Sequence, residues 1–215
     1  MANVFNPFPL HSESAGEPDR RLWLLAGLGN PGPDYAATRH NIGFMVADAL
    51  AEHWGLGFTD HGPYRVTDRA VVASDTVILA KPMAYMNRSG PPLRGIARRL
   101  SLTFKDLVII HDDLDLAFGR LKIKEKGGDG GHKGIRSIMD AFASGDFVRL
   151  RVGIGRPDTG TAVVDHVLGP FNAEEQAVLS QVVVRAREAV VTVLEEGART
   201  AMARFNVRQT EQSSL

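Results

Sequence analysis

The sequence contains no cysteine, no excess of either charge and no long apolar run. The absence of cysteine excludes a disulfide framework and any metal site built on thiolates. Lysine plus arginine equal aspartate plus glutamate at 25 each, so a nucleic-acid partner would have to bind a local basic patch. No stretch approaches the roughly 18 apolar residues of a membrane span, and residues 1–20 lack the pattern of a secretory signal. These absences predict a soluble cytoplasmic protein.

The order of apolar runs and turn residues predicts an α/β protein. At 215 residues the chain is long enough for one substantial core, so a single domain is expected over residues 21–207. A flexible N-terminal extension is predicted at 1–20 and a flexible C-terminal tail at 208–215. Strands are predicted at 22–28, 64–66, 70–73, 77–80, 107–111, 121–124 and 148–154, and helices at 39–54, 92–100, 133–143 and 173–206. A hairpin turn at Ser74 and Asp75 makes the predicted twisted sheet mixed, with helices flanking it.

A glycine-rich turn follows the first predicted strand. Residues 27–32 match the G-x-G-x-x-G spacing of a dinucleotide-binding motif, and Glu52 lies twenty residues beyond. That motif needs helix amides facing a pyrophosphate, but Pro31 and Pro33 have no amide hydrogen. Glu52 also falls within a helical pattern, whereas a ribose-binding acid ends a second strand. A nucleotide-dependent oxidoreductase is therefore disfavoured. The alternative is that the glycines form a tight turn with a structural role only.

Polar residues on both sides of this turn indicate an active site. Open α/β sheets place their sites at strand-to-helix turns, and here Asn30 precedes the next helix while His40 lies at its start. Histidine ordinarily titrates near pH 6.5, which makes it the default general base. A histidine in a helix is more often a surface or core residue. His40 is favoured as a base because Thr38, Arg39 and Asn41 surround it where packing does not require polar side chains.

A second candidate group ends the strand predicted at 107–111. His111, Asp112, Asp113 and Asp115 follow there, and a carboxylate in this position can orient a histidine and stabilise its charged form. Asp112 and Asp113 with His111 and His132 could bind a divalent metal, or the acids could form a solvated loop. No closely spaced ligand pair accompanies them, so the metal hypothesis is the weaker one.

Two further segments carry polar groups suited to a substrate. Asn87, in the segment KPMAYMNRSG, offers a carboxamide that both donates and accepts hydrogen bonds. Residues 120–151 contain eight basic and four acidic residues, which is modest support for a ligand rich in phosphate. The glycines of this segment do not form a P-loop, because Lys133 follows His132 and precedes a glycine.

Six segments in this order resemble the bacterial peptidyl-tRNA hydrolases. They are GLGNPGPDY, ATRHNIG, KPMAYMNRSG, HDDLDL, GGDGGHKGIRSI and FVRLRVGIGRP, and the resemblance covers residues 22–206. It implies a monomeric single-domain α/β enzyme that cleaves the ester between a stalled nascent peptide and tRNA. The implied mechanism uses neither a metal nor a cofactor, and the implied partner is peptidyl-tRNA rather than a membrane.

The resemblance also assigns roles to catalytic candidates. His40 matches the histidine that activates the attacking water, and Asp112 matches the acid that orients it. Asn30 and Asn87 match asparagines that hold the peptide end of the substrate and polarise the ester carbonyl.

The remaining matched positions bind substrate. Tyr35 and Met86 match residues that line the peptide site, and Lys124 and Arg151 match the pair that clamps the terminal phosphate of tRNA. Lys133 departs from the family pattern, which has asparagine there to hold water and the peptide backbone. Lysine cannot accept a hydrogen bond, so a contact with a phosphate or the ester oxygen is the alternative. Because of this departure, an RNA-binding protein that has lost catalysis is an alternative function for the chain.

Overall fold

The computed structural model describes residues 20–157 and 159–207. The predicted C-terminal tail and all but residue 20 of the predicted N-terminal extension lie outside these residues. The strands are β1 (Leu22–Gly27), β2 (Thr59–Asp60), β3 (Tyr64–Val66), β4 (Ala70–Val72), β5 (Asp75–Pro82), β6 (Leu107–Asp113), β7 (Leu121–Lys124) and β8 (Val148–Gly153). The helices are α1 (Ile42–His53), α2 (Gly90–Arg99), α3 (Lys133–Phe142), α4 (Val163–Leu168), α5 (Ala173–Glu196) and α6 (Ala198–Phe205).

All eight of these strands join one mixed sheet. Its order is β2-β3-β5-β1-β6-β8-β7, and β4 pairs with β5 beside this path. Strands β5, β1, β6 and β8 run parallel, while β2, β3, β4 and β7 join them in antiparallel pairs. The carboxyl ends of the four parallel strands therefore meet at one edge, where ligands bind in sheets of this kind.

The sheet is buried on both faces. Side chains alternate along a strand, so Trp23 and Leu25 of β1 enter one core cluster while Leu24 and Ala26 enter the other. Helices α1, α5 and α6 cover the first face, and α2 and α3 cover the second. None of the described helices has the length and apolar character needed to cross a membrane.

The glycines of the first turn serve helix packing. A Cβ atom on Gly27 would lie 2.1 Å from the carbonyl oxygen of Gly43 in α1, so these two glycines let α1 cross close to β1. The turn continues into a 3-10 turn, Pro33–Tyr35, and α1 begins only at Ile42. No helix amides therefore follow the glycines directly, which removes the geometric basis of the dinucleotide hypothesis.

The mixed α/β sheet is confirmed, and the errors are a missed helix break, shifted element ends and two short elements that were not predicted. The helix predicted at 173–206 breaks at Gly197, which has φ 86°, into α5 and α6. The helix predicted from 39 starts as a 3-10 turn, Arg39–Asn41. The hairpin turn lies one residue earlier than predicted, because Val72 pairs with Asp75. Strand β2 and helix α4 were not predicted, since both are too short to show a period.

Candidate active site

A cavity of about 810 Å³ opens at the carboxyl ends of the parallel strands. Every site residue named from the sequence lines it, namely Asn30, Tyr35, His40, Met86, Asn87, Asp112, Lys124, Lys133 and Arg151. The fold thus collects in one place residues that are up to 121 positions apart in the sequence, from 30 to 151.

His40 and Asp112 form a hydrogen-bonded pair. The Nδ1 atom of His40 lies 2.9 Å from each carboxylate oxygen of Asp112. A carboxylate only accepts, so Nδ1 carries the proton and the Nε2 atom of His40 keeps a free lone pair. The aspartate is nearly inaccessible at 3 % exposure, which fixes the orientation of the imidazole. This arrangement gives His40 the geometry of an oriented general base.

His132 donates to the same carboxylate from the other side. Its Nε2 atom lies 2.9 Å from Oδ1 of Asp112, and its Nδ1 atom accepts from the amides of Gly134 and Ile135 at 3.1 and 3.2 Å. Because Nδ1 accepts from two N–H groups, the proton must reside on Nε2 and the ring is neutral. His132 therefore caps helix α3 and holds Asp112 at the same time. From the sequence, this residue was predicted only as a possible metal ligand, and neither contact was expected.

Two opposing effects set the charge of Asp112. Burial alone would raise the pKa of its carboxyl, but the imidazoles of His40 and His132 and their hydrogen bonds lower that pKa well below its usual range. The carboxylate is therefore charged at neutral pH. It can stabilise an imidazolium that forms on His40 during a reaction.

His111 is a buried neutral histidine. Its Nδ1 atom donates to the backbone oxygen of Asp112 at 2.7 Å, and its ring packs edge-on against His132 at 4.7 Å. Burial, together with nearby His132, lowers the pKa of His111 well below its usual value. Its Nε2 atom is buried and has no hydrogen-bond partner among the described residues. His111 therefore supports the site from beneath and does not act as its base.

The site residues fit a metal ion poorly. Ligand atoms of His40, Asp112 and His132 lie within 4.8 Å of one another, close enough to surround a cation. Ligation by Nε2 of His132 would move its proton to Nδ1, where it would face the N–H groups of Gly134 and Ile135. Asp113, named in the metal hypothesis, pairs instead with Arg151 and the amide of Asp115.

Asn30 is held so that its amide nitrogen is free. Its Oδ1 atom accepts from the backbone N–H of Met86 at 2.8 Å, which leaves Nδ2 as the donor available to the cavity. Asn41 fixes the backbone of Asn30 through two hydrogen bonds, of 2.8 and 2.9 Å. Asn30 is thus a preorganised donor for a substrate oxygen. The supporting role of Asn41 was not predicted, because nothing in the sequence separates it from a helix cap.

An apolar wall lies on the side of the cavity formed by Tyr35, Tyr85 and α4. The two tyrosine rings meet edge to face, 6.3 Å apart, and Tyr85 is 59 % exposed. Met86 is buried and shares the core with α3, so it forms the floor. Exposed Val164 of α4 lines the same cavity. Arg39 anchors α4, because it donates to the carbonyl oxygen of His166 and pairs with Glu175 at 2.6 Å.

Cations line the opposite side of the cavity. The pairing of Lys124 with Arg149 in adjacent β7 and β8 places Lys124, Arg149 and Arg151 on one face of the sheet. Arg151 is ion-paired with Asp113, and the charge of Arg151 lowers the pKa of Lys124. Arg149 is buried and donates to three backbone carbonyls, so it orders the glycine loop rather than facing a ligand.

Lys133 projects from the N-terminus of α3 into the cavity rim. It is exposed, and within the described part of the chain no carboxylate lies within ion-pair distance of it. A free ammonium group at a helix N-terminus creates a local positive field. The position therefore suits a negatively charged or strongly accepting group of a ligand.

Comparison with known proteins agrees with this geometry. A family model for peptidyl-tRNA hydrolase matches residues 24–213. The chain is 45 % identical over 200 residues to a peptidyl-tRNA hydrolase from Synechococcus elongatus, covering 89 % of this chain and 95 % of that protein. The chain belongs to the peptidyl-tRNA hydrolase family. A relative from Mycolicibacterium gilvum is 46 % identical over 181 residues, covering 83 % of this chain and 93 % of its own length.

The fold of this peptidyl-tRNA hydrolase family member matches a solved relative. The crystal structure of peptidyl-tRNA hydrolase from Acinetobacter baumannii gives a TM-score of 0.80 at 34 % identity, covering 89 % of this chain and 98 % of that chain. The resemblance inferred from six short motifs is therefore confirmed over most of the chain.

Proposed function

We propose that this protein hydrolyses the ester between the nascent peptide and tRNA in peptidyl-tRNA, using water activated by His40 and no metal, and so recycles tRNA during translation. The observation that carries the proposal is the His40–Asp112 pair at the cavity. Its Nδ1–H is held by a buried carboxylate, and its Nε2 lone pair is free to accept a proton. Membership of the peptidyl-tRNA hydrolase family supplies the substrate class.

The proposed reaction begins with proton transfer from water to Nε2 of His40. The water oxygen attacks the ester carbonyl, and the resulting oxyanion accepts a hydrogen bond from Nδ2 of Asn30. Asp112 stabilises the imidazolium, which then returns the proton to the departing ribose oxygen. The products are a peptide with a free carboxylate and a tRNA with a free terminal hydroxyl.

Substrate binding uses the two sides of the cavity. Tyr35, Met86 and Asn87 bind the peptide end. Lys124 and Arg151 bind the terminal phosphate of tRNA through charge-assisted hydrogen bonds. The exposed ammonium of Lys133 binds either a phosphate or the ester oxygen. We propose that the protein acts as a monomer, and the substrate supports a cytoplasmic location.

The test uses two forms of one tRNA. N-acetylated aminoacyl-tRNA and the same tRNA with a free amino group are incubated separately with the protein, and release of the acyl group is followed. Rapid release from only the N-acetylated form is expected, since that form carries a peptide-like amide. Equal release from both would indicate a less selective esterase, and release from neither would favour an RNA-binding protein without catalysis.

A further inference from the structure

A segment with charges of only one sign lies beside the candidate active site. Between Asp75 and Asp106 the sequence has no acidic residue, although acids and bases balance over the whole chain. The basic residues of this segment are Lys81, Arg88, Arg94, Arg98, Arg99 and Lys105. Lys81 is buried and paired with Asp48, so the remaining charge belongs to α2 and its flanks.

These arginines extend outward from the cavity. Arg88 ends the 3-10 turn that contains Asn87, while Arg94 and Arg98 follow in α2. Residues four apart share one helix face, and a helix of ten residues is about 15 Å long. Arg88 and Arg98 are exposed. Arg88, Arg94 and Arg98 are named here the α2 basic surface.

The charge of the α2 basic surface is not compensated by carboxylates. Arg21, Arg136 and Arg204 form ion pairs elsewhere in the structure. Within residues 20–157 and 159–207, no carboxylate lies within ion-pair distance of an arginine of this surface. The stem of Arg94 packs on α3, with its guanidinium 5.2 Å from the ring centre of Phe142. The exposed cations are therefore available to an anionic partner.

Helix stability explains only part of this pattern. Arg98 lies in the last turn of α2, where a positive charge interacts favourably with the helix dipole. Arg88 lies just before the N-terminus, where a positive charge interacts unfavourably with that dipole. A stabilising role for the helix therefore does not account for Arg88.

We infer that the α2 basic surface binds the phosphate backbone of the substrate RNA, beyond the terminal phosphate that Lys124 and Arg151 hold. This inference rests on the proposed function. Lys124 and Arg151 project from the face of the sheet that α2 and α3 cover, so both groups of cations lie on one side of the molecule. At about 3.4 Å per phosphate along one strand of a duplex, about 15 Å of surface matches roughly four phosphates.

The test compares two double variants that remove equal charge. Arg88→Gln with Arg98→Gln removes the exposed part of the surface, and Arg94 is kept because it packs on α3. Arg185→Gln with Arg199→Gln is the control, since these residues lie on α5 and α6 across the sheet. The affinity of each protein for deacylated tRNA is measured by fluorescence anisotropy between 50 and 200 mM salt, and melting curves verify folding.

The α2 variant should bind tRNA more weakly at low salt, with the slope of log affinity against log salt reduced by about 1.4–1.8 for two lost phosphate contacts. The control should keep the parent slope. An unchanged slope in the α2 variant, or an equal loss in the control, would overturn the inference. Should the glutamine variant unfold, the double variant Arg88→Lys with Arg98→Lys is used instead. It keeps the charge and should keep the parent slope, and a reduced slope in this variant would also count against the inference.

This measurement needs no hydrolysis, so it separates the two proposals. A parent protein that binds tRNA through α2 yet releases no peptide would refute only the proposed function. A parent protein that releases peptide while the α2 variant binds tRNA as tightly as the parent would refute only the α2 basic surface.

Discussion

Replacing His132 with asparagine separates its two contacts and tests whether it positions Asp112. Asparagine is a favoured N-cap residue, so its side chain can still accept from the amides of Gly134 and Ile135. It is too short to reach Asp112, which loses the donor now at 2.9 Å. The variant should therefore keep helix α3 and lose one restraint on the catalytic pair.

The size of the effect follows from the hydrogen bond that is removed. A hydrogen bond to a charged group contributes about 1.5–3 kcal/mol, which corresponds to a fall of about 10- to 150-fold in kcat/KM if the bond acts fully in the transition state. Without the His132 donor, the carboxylate of Asp112 is free to turn away from His40. The loss should therefore appear in kcat rather than in KM.

The assay is peptide release from N-acetylated aminoacyl-tRNA between pH 5 and 9, with His132→Ala as the matched variant. His132→Ala loses the cap as well and should be less stable than His132→Asn by about 1 kcal/mol in its free energy of unfolding. A His132→Asn enzyme with an unchanged kcat would refute the positioning role. Loss as complete as that of His40→Ala would mean that His132 is itself the base.

Asp112→Asn should fold yet slow hydrolysis by about 10²–10⁴-fold in a stopped or quenched assay, because an amide cannot offset the imidazolium charge; near-parent rates would contradict this. EDTA should leave activity unchanged, since His132 presents a proton rather than a lone pair to Asp112; restoration of a lost activity by zinc would revive the metal hypothesis. Gly90→Ala should destabilise the protein by about 1–3 kcal/mol in urea unfolding, because its Cβ would lie 2.0 Å from the Ser137 carbonyl oxygen. Gly95→Ala in the same helix meets open space and should stabilise the protein by about 0.5–1 kcal/mol, and equal effects of the two substitutions would refute the contact.

Strands and site residues were predictable from the sequence where the local residue pattern matches the structure that the fold imposes. Strand β7 and the long strand β6 show clear patterns, and Asp112 lies two residues after the apolar run of β6. Parallel strands then bring their carboxyl ends together, so the proximity of His40 to Asp112 follows from topology. The motif resemblance added the roles of Asn30 and Asn87, which residue type alone leaves open.

The missed features depend on contacts between distant segments. His132 lies in a glycine-rich segment, so its sequence context resembles that of an ordinary loop residue. Only the folded structure shows that its ring both caps α3 and holds Asp112. Arg39 resembles a polar residue of the site, yet it anchors α4 through His166. The break at Gly197 was missed because apolar spacing continues through it, while its positive φ ends the helix.

In the proposed reaction, His40 is the base that activates water. The most direct test of this role is peptide release from peptidyl-tRNA in a single turnover, with enzyme in excess, by the parent and by His40→Ala. The release rate should fall by about 10²–10⁴-fold while the affinity for tRNA stays within a few fold, because the general base is lost and the binding surfaces are intact. Release by His40→Ala at nearly the parent rate would contradict this role.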